Sequence, residues 1–516
     1  MKRITRRSFL WTAFGAALAG GAYSQGGAAP HTHAHELVET GAAGANPAIL
    51  NSADDVIAAG ATAGTLPIPP LLGASRGAFE LTMSPGEAEL IPGQLTPTLG
   101  FNGDYLGPTI RVARGQPVQF AISNQLGEPT TVHWHGMHLP AGMDGGPHQI
   151  IQPGSVWRPG WTVRQQAATL WYHPHLMGAT QRQVSRGLAG MLIVDDATPI
   201  QQSLPHLYGV DDLPIILQEA AIGPDGQLIL RGGGRAPRGA TLVNGAIAPW
   251  FDTPAARVRL GILNASAGTF YTFGLADGGA FEQIASDGGL LPAPVALSGL
   301  QLGPAERAEM VLGLTPGTPV HLQARTNNRG GQVRDLVTLS TSGDDADAEP
   351  LRTQGLGIFN RIERMDPKGP DFVRDMVLAR AGRGFAINGS SMRTDDDMMH
   401  MDGVMRVQLG DTELWRVINN SGVTHLFHVH DVQFQIMDRN GAQPPAQEMG
   451  WKDTVMVRPN ETVRIMMGFA DYADVDRPYM FHCHILGHED GGMMGQFVVV
   501  PRATTAGSSN HDGMEM

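Results

Sequence analysis

Near its C-terminus the chain reads His482-Cys483-His484-Ile485-Leu486-Gly487-His488, and this stretch predicts more about fold and chemistry than any other. Successive residues of a β-strand point to opposite sides, so His482 and His484 would face one side and Cys483 the other. Imidazole and thiolate groups are both ligands of transition metals. We therefore hypothesise that one strand carries two different metal sites, back to back.

Three more histidine clusters precede this stretch. They are His133-Trp134-His135-Gly136, His173-Pro174-His175 and His425-Leu426-Phe427-His428-Val429-His430. A single His-x-His pair is equally well explained as two polar residues on the solvent side of a strand. Because the four clusters hold ten of the 19 histidines, we interpret them as metal ligands that converge in space.

The two sides of the predicted strand favour different ligand sets. Cys483, His425 and His488 make a His2Cys set, and Met493 follows the cysteine by ten residues. This arrangement is typical of a blue-copper site with a weak axial methionine. Three copper ions, with two or three imidazoles each, would accommodate the remaining clustered histidines, whereas zinc prefers a site of four ligands.

The N-terminus predicts export. The segment Thr5-Arg6-Arg7-Ser8-Phe9-Leu10 has a twin-arginine pattern, and an apolar run continues from it to Ala22. We interpret residues 1–29 as a Tat signal and expect a periplasmic bacterial protein. Cys483 is the only cysteine, so no internal disulfide protects its thiol in that oxidising compartment, whereas a bound metal would.

Composition favours an all-β protein of several domains. Glycine and proline, 67 and 36 residues, supply turns between short strands, and 516 residues suit about three domains. The net charge of −13 argues against nucleic acid and against an anionic membrane surface. No internal stretch of the sequence is long and apolar enough to insert across a bilayer.

The sequence also repeats weakly. An Asn-Gly pair recurs at Asn102, Asn244 and Asn388, with spacings of 142 and 144 residues, and a predicted strand follows each pair. An even, domain-sized period indicates three copies of one β-fold. We place the copies at residues 66–200, 205–345 and 354–503, with flexible segments at 30–65 and 504–516.

The four clusters form the patterns H-W-H-G, W-Y-H-P-H, H-x-x-H-x-H and H-C-H-x3-H-x4-M, which together resemble those of the multicopper oxidases. The resemblance covers about residues 66–502. It implies three cupredoxin-like Greek-key β-sandwich domains that hold four copper ions, one of type 1, one of type 2 and two of type 3. It also implies that electrons from a reducing substrate pass through Cys483 to a copper cluster, where O2 becomes water.

The resemblance further implies a role for each clustered residue. The type 1 ligands would be His425, Cys483, His488 and Met493. The type 2 pair would be His133 and His428, and the type 3 ligands would be His135, His173, His175, His430, His482 and His484. Asp144 and Glu489 match acidic residues of the family, and we expect both to relay protons. The alternative is that they are ordinary loop carboxylates.

The electron donor is predicted less directly. Met398, Met399 and Met401 lie beside aspartates, and thioether sulfur suits Cu(I), although ordinary packing explains these methionines equally well. In copper-efflux oxidases an Asp and a Met precede the first type 1 histidine, but Ser421 and Val423 hold those places here. We expect a monomer that binds O2 and oxidises Cu(I) and/or phenolic compounds, with a part in copper tolerance. The alternative is a laccase or bilirubin-oxidase-like enzyme for organic substrates.

Two functions of other classes remain open. A non-catalytic relative of the same fold acts as a cell-division scaffold and has lost its copper ligands, whereas all twelve are present here. A copper-storage protein would need methionine and histidine but no ordered type 1 set. Because an intense blue absorption band requires that set, a single spectrum distinguishes these functions from an oxidase.

Overall fold

The computed structural model describes residues 64–74, 78–223, 225–229, 239–327, 331–343, 359–392 and 404–502. The predicted export signal, most of the linker and the tail lie outside these ranges, and so do Met398, Met399 and Met401. The described part consists mostly of strands, with three short helices and two 3₁₀ turns, which confirms the all-β prediction. None of these helices is long and apolar enough to cross a membrane.

The strands are numbered in chain order. The first ten are β1 (Leu71–Leu72), β2 (Phe79–Ile91), β3 (Gln94–Phe101), β4 (Thr109–Ala113), β5 (Pro117–Asn124), β6 (His133–His135), β7 (Val156–Trp157), β8 (Gly160–Thr162), β9 (Ala168–His173) and β10 (Gly190–Asp195). The next twelve are β11 (Asp212–Ala220), β12 (Ala240–Val243), β13 (Ala246–Ile247), β14 (Trp250–Thr253), β15 (Arg257–Asn264), β16 (Tyr271–Leu275), β17 (Phe281–Ser286), β18 (Gly289–Leu297), β19 (Leu300–Leu302), β20 (Arg307–Gly313), β21 (Val320–Thr326) and β22 (Val333–Thr341). The last ten are β23 (Phe372–Ala381), β24 (Gly384–Ile387), β25 (Met405–Gln408), β26 (Thr412–Asn419), β27 (His425–Val429), β28 (Phe434–Arg439), β29 (Thr454–Val457), β30 (Thr462–Gly468), β31 (Asp474–Cys483) and β32 (Met494–Val500). The helices are Thr180–Ser185, Pro199–Ser203 and Leu486–Glu489, and the 3₁₀ turns are Ala141–Met143 and Ala446–Glu448.

These strands form six sheets, which make three sheet pairs along the chain. The first pair has the orders β1-β4-β10-β9-β6 and β3-β2-β5-β7, with β8 also joined to β5. The second pair has the orders β13-β12-β11-β15-β20-β17-β18 and β14-β22-β21-β16-β19. The third pair has the orders β24-β23-β26-β30-β28 and β25-β32-β31-β27-β29. Strands distant in sequence are neighbours in every sheet, which is typical of Greek-key sandwiches.

Apolar side chains from both sheets of a pair form its core. In the first pair, Leu81 of β2 and Leu192 of β10 belong to one buried cluster. In the third pair, Trp415 of β26 packs edge-on against Phe497 of β32, with ring centroids 6.1 Å apart. Alternate strand residues thus face a shared apolar interior, whose burial provides the main drive for folding.

Three of the four Asn-Gly pairs, those with the even spacing, make the same turn. Asn102, Asn244 and Asn388 have φ angles of 55°, 52° and 52°, a left-handed conformation that asparagine tolerates better than most residues. Each side-chain oxygen accepts a 2.7 Å hydrogen bond from a strand N–H group, at Thr82, Ile216 and Val377 respectively. The weak sequence repeat therefore corresponds to one structural device that is used in every sheet pair.

The histidine clusters lie on paired strands or directly after them. Strand β6 pairs with β9, which places His133 opposite His173. Strand β27 pairs with β31, which places His428 opposite His482. The rings of His133 and His430 stack with centroids 3.9 Å apart, so the clusters of the first and third sheet pairs meet.

Candidate metal centre

The Cys483 thiol lies between two imidazoles in the core of the third sheet pair. Its Sγ atom is 3.5 Å from Nδ1 of His425 and 3.5 Å from Nδ1 of His488. His425 begins β27, Cys483 ends β31, and His488 lies in the short helix that follows. The three ligand atoms lie within 4.8 Å of one another, so the predicted His2Cys set is brought together.

Met493 and Ser421 complete the surroundings of this set. Met493 is fully buried in the same core, and its backbone oxygen accepts a 3.0 Å hydrogen bond from the N–H of Cys483. The Oγ atom of Ser421 lies 2.7 Å from Nε2 of His425. The serine therefore engages one ring nitrogen and leaves Nδ1 directed at the thiol.

The protonation of this set suits a metal cation. Burial raises the pKa of the Cys483 thiol to about 12. Burial also lowers the pKa of His425 to about 3 and that of His488 to about 4, so both imidazoles are neutral at ordinary pH. The neutral rings offer lone pairs, while the thiol requires a nearby cation to ionise. These are the properties of a copper site with one thiolate and two imidazole ligands.

The other eight clustered histidines are buried and form three groups. The groups are His133, His135 and His428; His135, His173 and His484; and His175, His430 and His482. In each group, one ligand atom from every residue lies within 4.8 Å of the others. The second and third groups are two histidine triads, which together contain the six type 3 ligands that the resemblance implies, and the first group contains the implied type 2 pair.

Hydrogen bonds decide which nitrogen of a ring is free. Three rings donate from Nδ1 to a backbone oxygen at 2.8–2.9 Å: His133 to Asp144, His173 to Pro174 and His428 to Asp453. Their Nε2 atoms find no hydrogen-bond partner among the described residues. In His135 the pattern is reversed, because Nε2 donates to Oδ1 of Asp453 at 3.0 Å and Nδ1 is left over. Since buried polar atoms are rarely left unsatisfied, these four nitrogens fit metal ligands.

The Nε2 atoms of three imidazoles, those of His175, His430 and His482, lie close together. Nε2 of His482 lies 3.0 Å from Nε2 of His175 and 3.2 Å from Nε2 of His430. Burial lowers the pKa of His175 and of His482 well below the ordinary value and that of His430 to about 4. Because Nδ1 of His430 donates to Asp144, its Nε2 carries a lone pair, and three imidazole nitrogens that converge in this way fit the ligands of one metal ion.

Two buried carboxyl groups flank these histidines, and their pKa values are shifted in opposite directions. Oδ2 of Asp144 accepts a 2.8 Å hydrogen bond from Nδ1 of His430. Burial raises the pKa of Asp144, but the attractions of His430 and His133 and their hydrogen bonds together outweigh burial and hold that pKa well below its usual range. Burial raises the pKa of Glu489 well above its usual value, and its oxygens lie 3.5 Å from Nδ1 of His175 and 3.4 Å from Nδ1 of His482. An ionised and a protonated carboxyl at one site suit proton transfer.

Asp453 is a site residue that the sequence analysis did not identify. Its buried carboxylate accepts the hydrogen bond from His135 and forms an ion pair with Arg307. Arg307 belongs to β20 in the second sheet pair, which contributes none of the clustered histidines. The role of Asp453 depends on a partner 146 residues away, and no local pattern in the sequence indicates that contact.

Comparison with known proteins agrees with this geometry. Two family models, both described as multicopper oxidase, match residues 82–199 and 377–503. A Staphylococcus haemolyticus protein named multicopper oxidase mco is 32% identical over 439 residues, which are 82% of this chain and 88% of that protein. The crystal structure of a multicopper oxidase from Pediococcus acidilactici is 33% identical with a TM-score of 0.77, over 86% of this chain and 93% of that one.

A cell division protein is similar as well. FtsP of Pectobacterium atrosepticum is 33% identical over 451 residues, which are 84% of this chain and 92% of FtsP. Overall identity therefore does not separate an oxidase from a division protein. The two matched family models span all twelve clustered ligand residues of this chain. The chain belongs to the multicopper oxidase family.

Proposed function

We propose that the protein is a copper-dependent oxidase that takes single electrons from a small donor and reduces O2 to water. One observation carries this proposal: three consecutive residues belong to three different ligand groups. Cys483 lies with His425 and His488, while His482 and His484 belong to the two histidine triads. One short segment of backbone therefore connects the His2Cys set to the group of eight histidines.

Copper, when bound, would supply the one-electron chemistry. We assign four ions to the twelve residues. His425, Cys483, His488 and Met493 would hold type 1 copper, and His133 and His428 would hold type 2 copper. The two type 3 ions would be held by His135, His173, His175, His430, His482 and His484. Burial lowers the pKa of the type 1 and type 3 imidazoles and of His428. Hydrogen bonds from the second ring nitrogen orient five of the rings, those of His133, His135, His173, His428 and His430.

The buried carboxyl groups would take part in delivering protons for the reaction. Reduction of O2 to water consumes protons as well as electrons. Because burial keeps Glu489 protonated, we assign proton donation to this residue. Asp144 stays ionised and accepts a hydrogen bond from His430, so we assign to it the orientation of that imidazole and the attraction of incoming protons.

We propose that the electron donor is Cu(I) and/or a phenol and that the protein takes part in copper tolerance. Ser421 is buried and engaged with His425, so the place of the family aspartate holds no free acidic ligand. A cuprous substrate would therefore depend on Met398, Met399 and Met401, and the alternative is a laccase-like enzyme for organic donors. The twin-arginine pattern supports a periplasmic location.

Oxygen consumption tests this proposal. The copper-loaded protein should consume one O2 for every four donor molecules oxidised, without release of peroxide. A division scaffold of the kind suggested by FtsP, or a storage protein, would show no copper-dependent O2 consumption with either donor. Release of peroxide at one per two electrons would contradict the assigned cluster of three copper ions.

A further inference from the structure

One hydrophobic cluster in the described part of the chain consists entirely of methionine. It contains Met392, Met480 and Met494, and the half-buried Met177 packs against them. We call these four residues the methionine cluster. The other buried clusters are dominated by aliphatic and aromatic side chains. Methionine is flexible and specifies packing poorly, so packing alone does not account for four thioethers in one place.

The methionine cluster lies on the histidine side of β31 and β32. The strand register places Met494 directly opposite His482, and Met480 precedes His482 by two residues. Residues at these positions share one face of the sheet, whereas Cys483 points to the other face. Met177 lies directly after the second histidine cluster. The thioethers are therefore grouped beside histidines of the type 3 set and not beside the thiol.

The four methionines differ in exposure. Met177 is half-buried, Met392 is 8% exposed, and Met494 and Met480 are 1% and 0% exposed. The N–H groups of Met392 and Met494 both donate to the backbone oxygen of Gly492, at 3.0 Å and 2.8 Å. This shared acceptor holds two methionines from different segments next to each other.

A cavity of about 580 Å³ opens beside the methionine cluster. Met392 and Met494 line it together with Met376 and Met405. A small ion in the cavity can therefore contact the side chains of Met392 and Met494. Thioethers are soft, uncharged ligands that favour Cu(I) over hard cations, and a singly charged ion costs less to bury than a divalent ion.

We propose that the methionine cluster binds one Cu(I) ion beside the type 3 histidines. The proposal rests on the proposed copper-dependent function and goes beyond it, because it assigns a further copper position to residues outside the twelve ligands. The methionine cluster shares no residue with Met398, Met399 and Met401 or with the type 1 ligands. It requires no redox step, since only binding is assigned.

Silver(I) tests the proposal, because it shares the ligand preference of Cu(I) and is not oxidised in air. The copper-loaded full chain with Met398, Met399 and Met401 replaced by Leu serves as the background, so that this segment adds no sulfur. After dialysis against free methionine, this background should retain one equivalent of Ag(I). Adding Met392→Leu and Met494→Leu should remove that equivalent, whereas adding Met310→Leu, a buried methionine of the second sheet pair, should not. Equal retention in all three proteins, or none in the background, would overturn the proposal.

A second measurement uses the unmodified protein and does not depend on whether the variants fold. Peroxide converts accessible thioethers to sulfoxides, and peptide mass spectrometry reports the rate for Met177 and Met392. Ag(I) at ten times its dissociation constant should slow this oxidation roughly tenfold, because about one protein in eleven then lacks the ion. An unchanged rate would show that the cluster binds no ion. Neither measurement involves turnover, so a failure here is distinct from a failure to consume O2.

Discussion

The Arg307 guanidinium and the Asp453 carboxylate form a two-point ion pair in the interior of the protein. The Nη1–Oδ1 and Nη2–Oδ2 distances are 2.7 Å and 2.5 Å, and neither side chain is exposed. The same carboxylate accepts the hydrogen bond from Nε2 of His135. A single carboxylate thus joins residues of all three sheet pairs at the edge of the metal centre.

Removing the positive partner should destabilise the protein strongly. Arg307→Met leaves Asp453 as a buried charge without compensation, which costs roughly 3–5 kcal/mol of unfolding free energy. Urea unfolding of the copper-loaded protein measures this loss. Copper content should fall as well, because the carboxylate that fixes the His135 ring is no longer held in place.

Arg416→Met is the matched control. Arg416 pairs with Asp375 at 2.5 Å, but the two side chains are 48% and 43% exposed. An exposed ion pair contributes about 0–1 kcal/mol, so this variant should unfold almost like the original protein. Similar small losses for both variants would show that the Arg307–Asp453 pair does not support the site.

Glu489→Gln should slow turnover without loss of copper. The amide keeps the shape of the side chain but cannot deliver a proton, so O2 consumption should fall by roughly 10²–10⁴-fold. Glu219→Gln is the control, because burial also raises the pKa of Glu219, to about 7, and this residue is in the second sheet pair. Unchanged turnover of Glu489→Gln at full copper content would remove Glu489 from the proton path.

Much of the candidate site could be predicted from the sequence because ligand spacing within a strand is local. The alternation of His482, Cys483 and His484 predicted two metal sites on opposite sides of one strand. The structure places these three residues in three separate ligand groups. His425 and His428 are three residues apart and so have opposite parity on their strand, and the structure places His425 with Cys483 and His428 with His133 and His135. The all-β class followed from turn composition, while the assignment of individual copper types and the domain boundaries stay predictions.

Other features could not be predicted because they depend on contacts between distant segments. The Arg307–Asp453 pair is of this kind, and so is the methionine cluster, whose members come from three separate parts of the chain. The free nitrogen of each imidazole is also set by tertiary contacts. His135 differs from His133 because its ring meets the Asp453 side chain, whereas the ring of His133 meets a backbone oxygen.

Stability should fall at alkaline pH because of His138. Its Nδ1 lies 2.7 Å from Asp431 and its Nε2 lies 2.5 Å from Asp471, which joins the first and third sheet pairs. Burial lowers the pKa of His138, but the attractions of Asp431 and Asp471 and their hydrogen bonds together outweigh burial, and the net effect raises the pKa to about 9. The protonated form therefore stabilises the fold fully below a pH of about 6.5, and this contribution is lost as the pH rises towards 9.

The expected size of the His138 contribution is roughly 1–3 kcal/mol. The thermal unfolding midpoint, followed from slightly acidic to alkaline pH, measures it. His138→Gln cannot titrate, so the difference between the two proteins should be large at low pH and should shrink as the pH rises. A difference that stays constant with pH would mean that this imidazole does not change its protonation on unfolding.

The donor prediction is tested by replacing Met398, Met399 and Met401 together with Leu. If these thioethers hold cuprous substrate, kcat/KM for Cu(I) should fall about tenfold relative to that for a phenol, or about 1.4 kcal/mol. Steady-state rates with the two donors give this ratio, which cancels differences in copper loading. A ratio equal to that of the original protein would mean that the segment is not the substrate site.

The central claim is that Cys483 joins the donor side to the histidine side, and Cys483→Ser tests it most directly. The original copper-loaded protein should show an intense blue band and consume O2 with a phenol. The variant should hold one copper ion fewer, lack the blue band, retain the type 2 electron paramagnetic resonance signal and consume no O2. Donor-driven O2 consumption by the variant at the original rate would contradict the account.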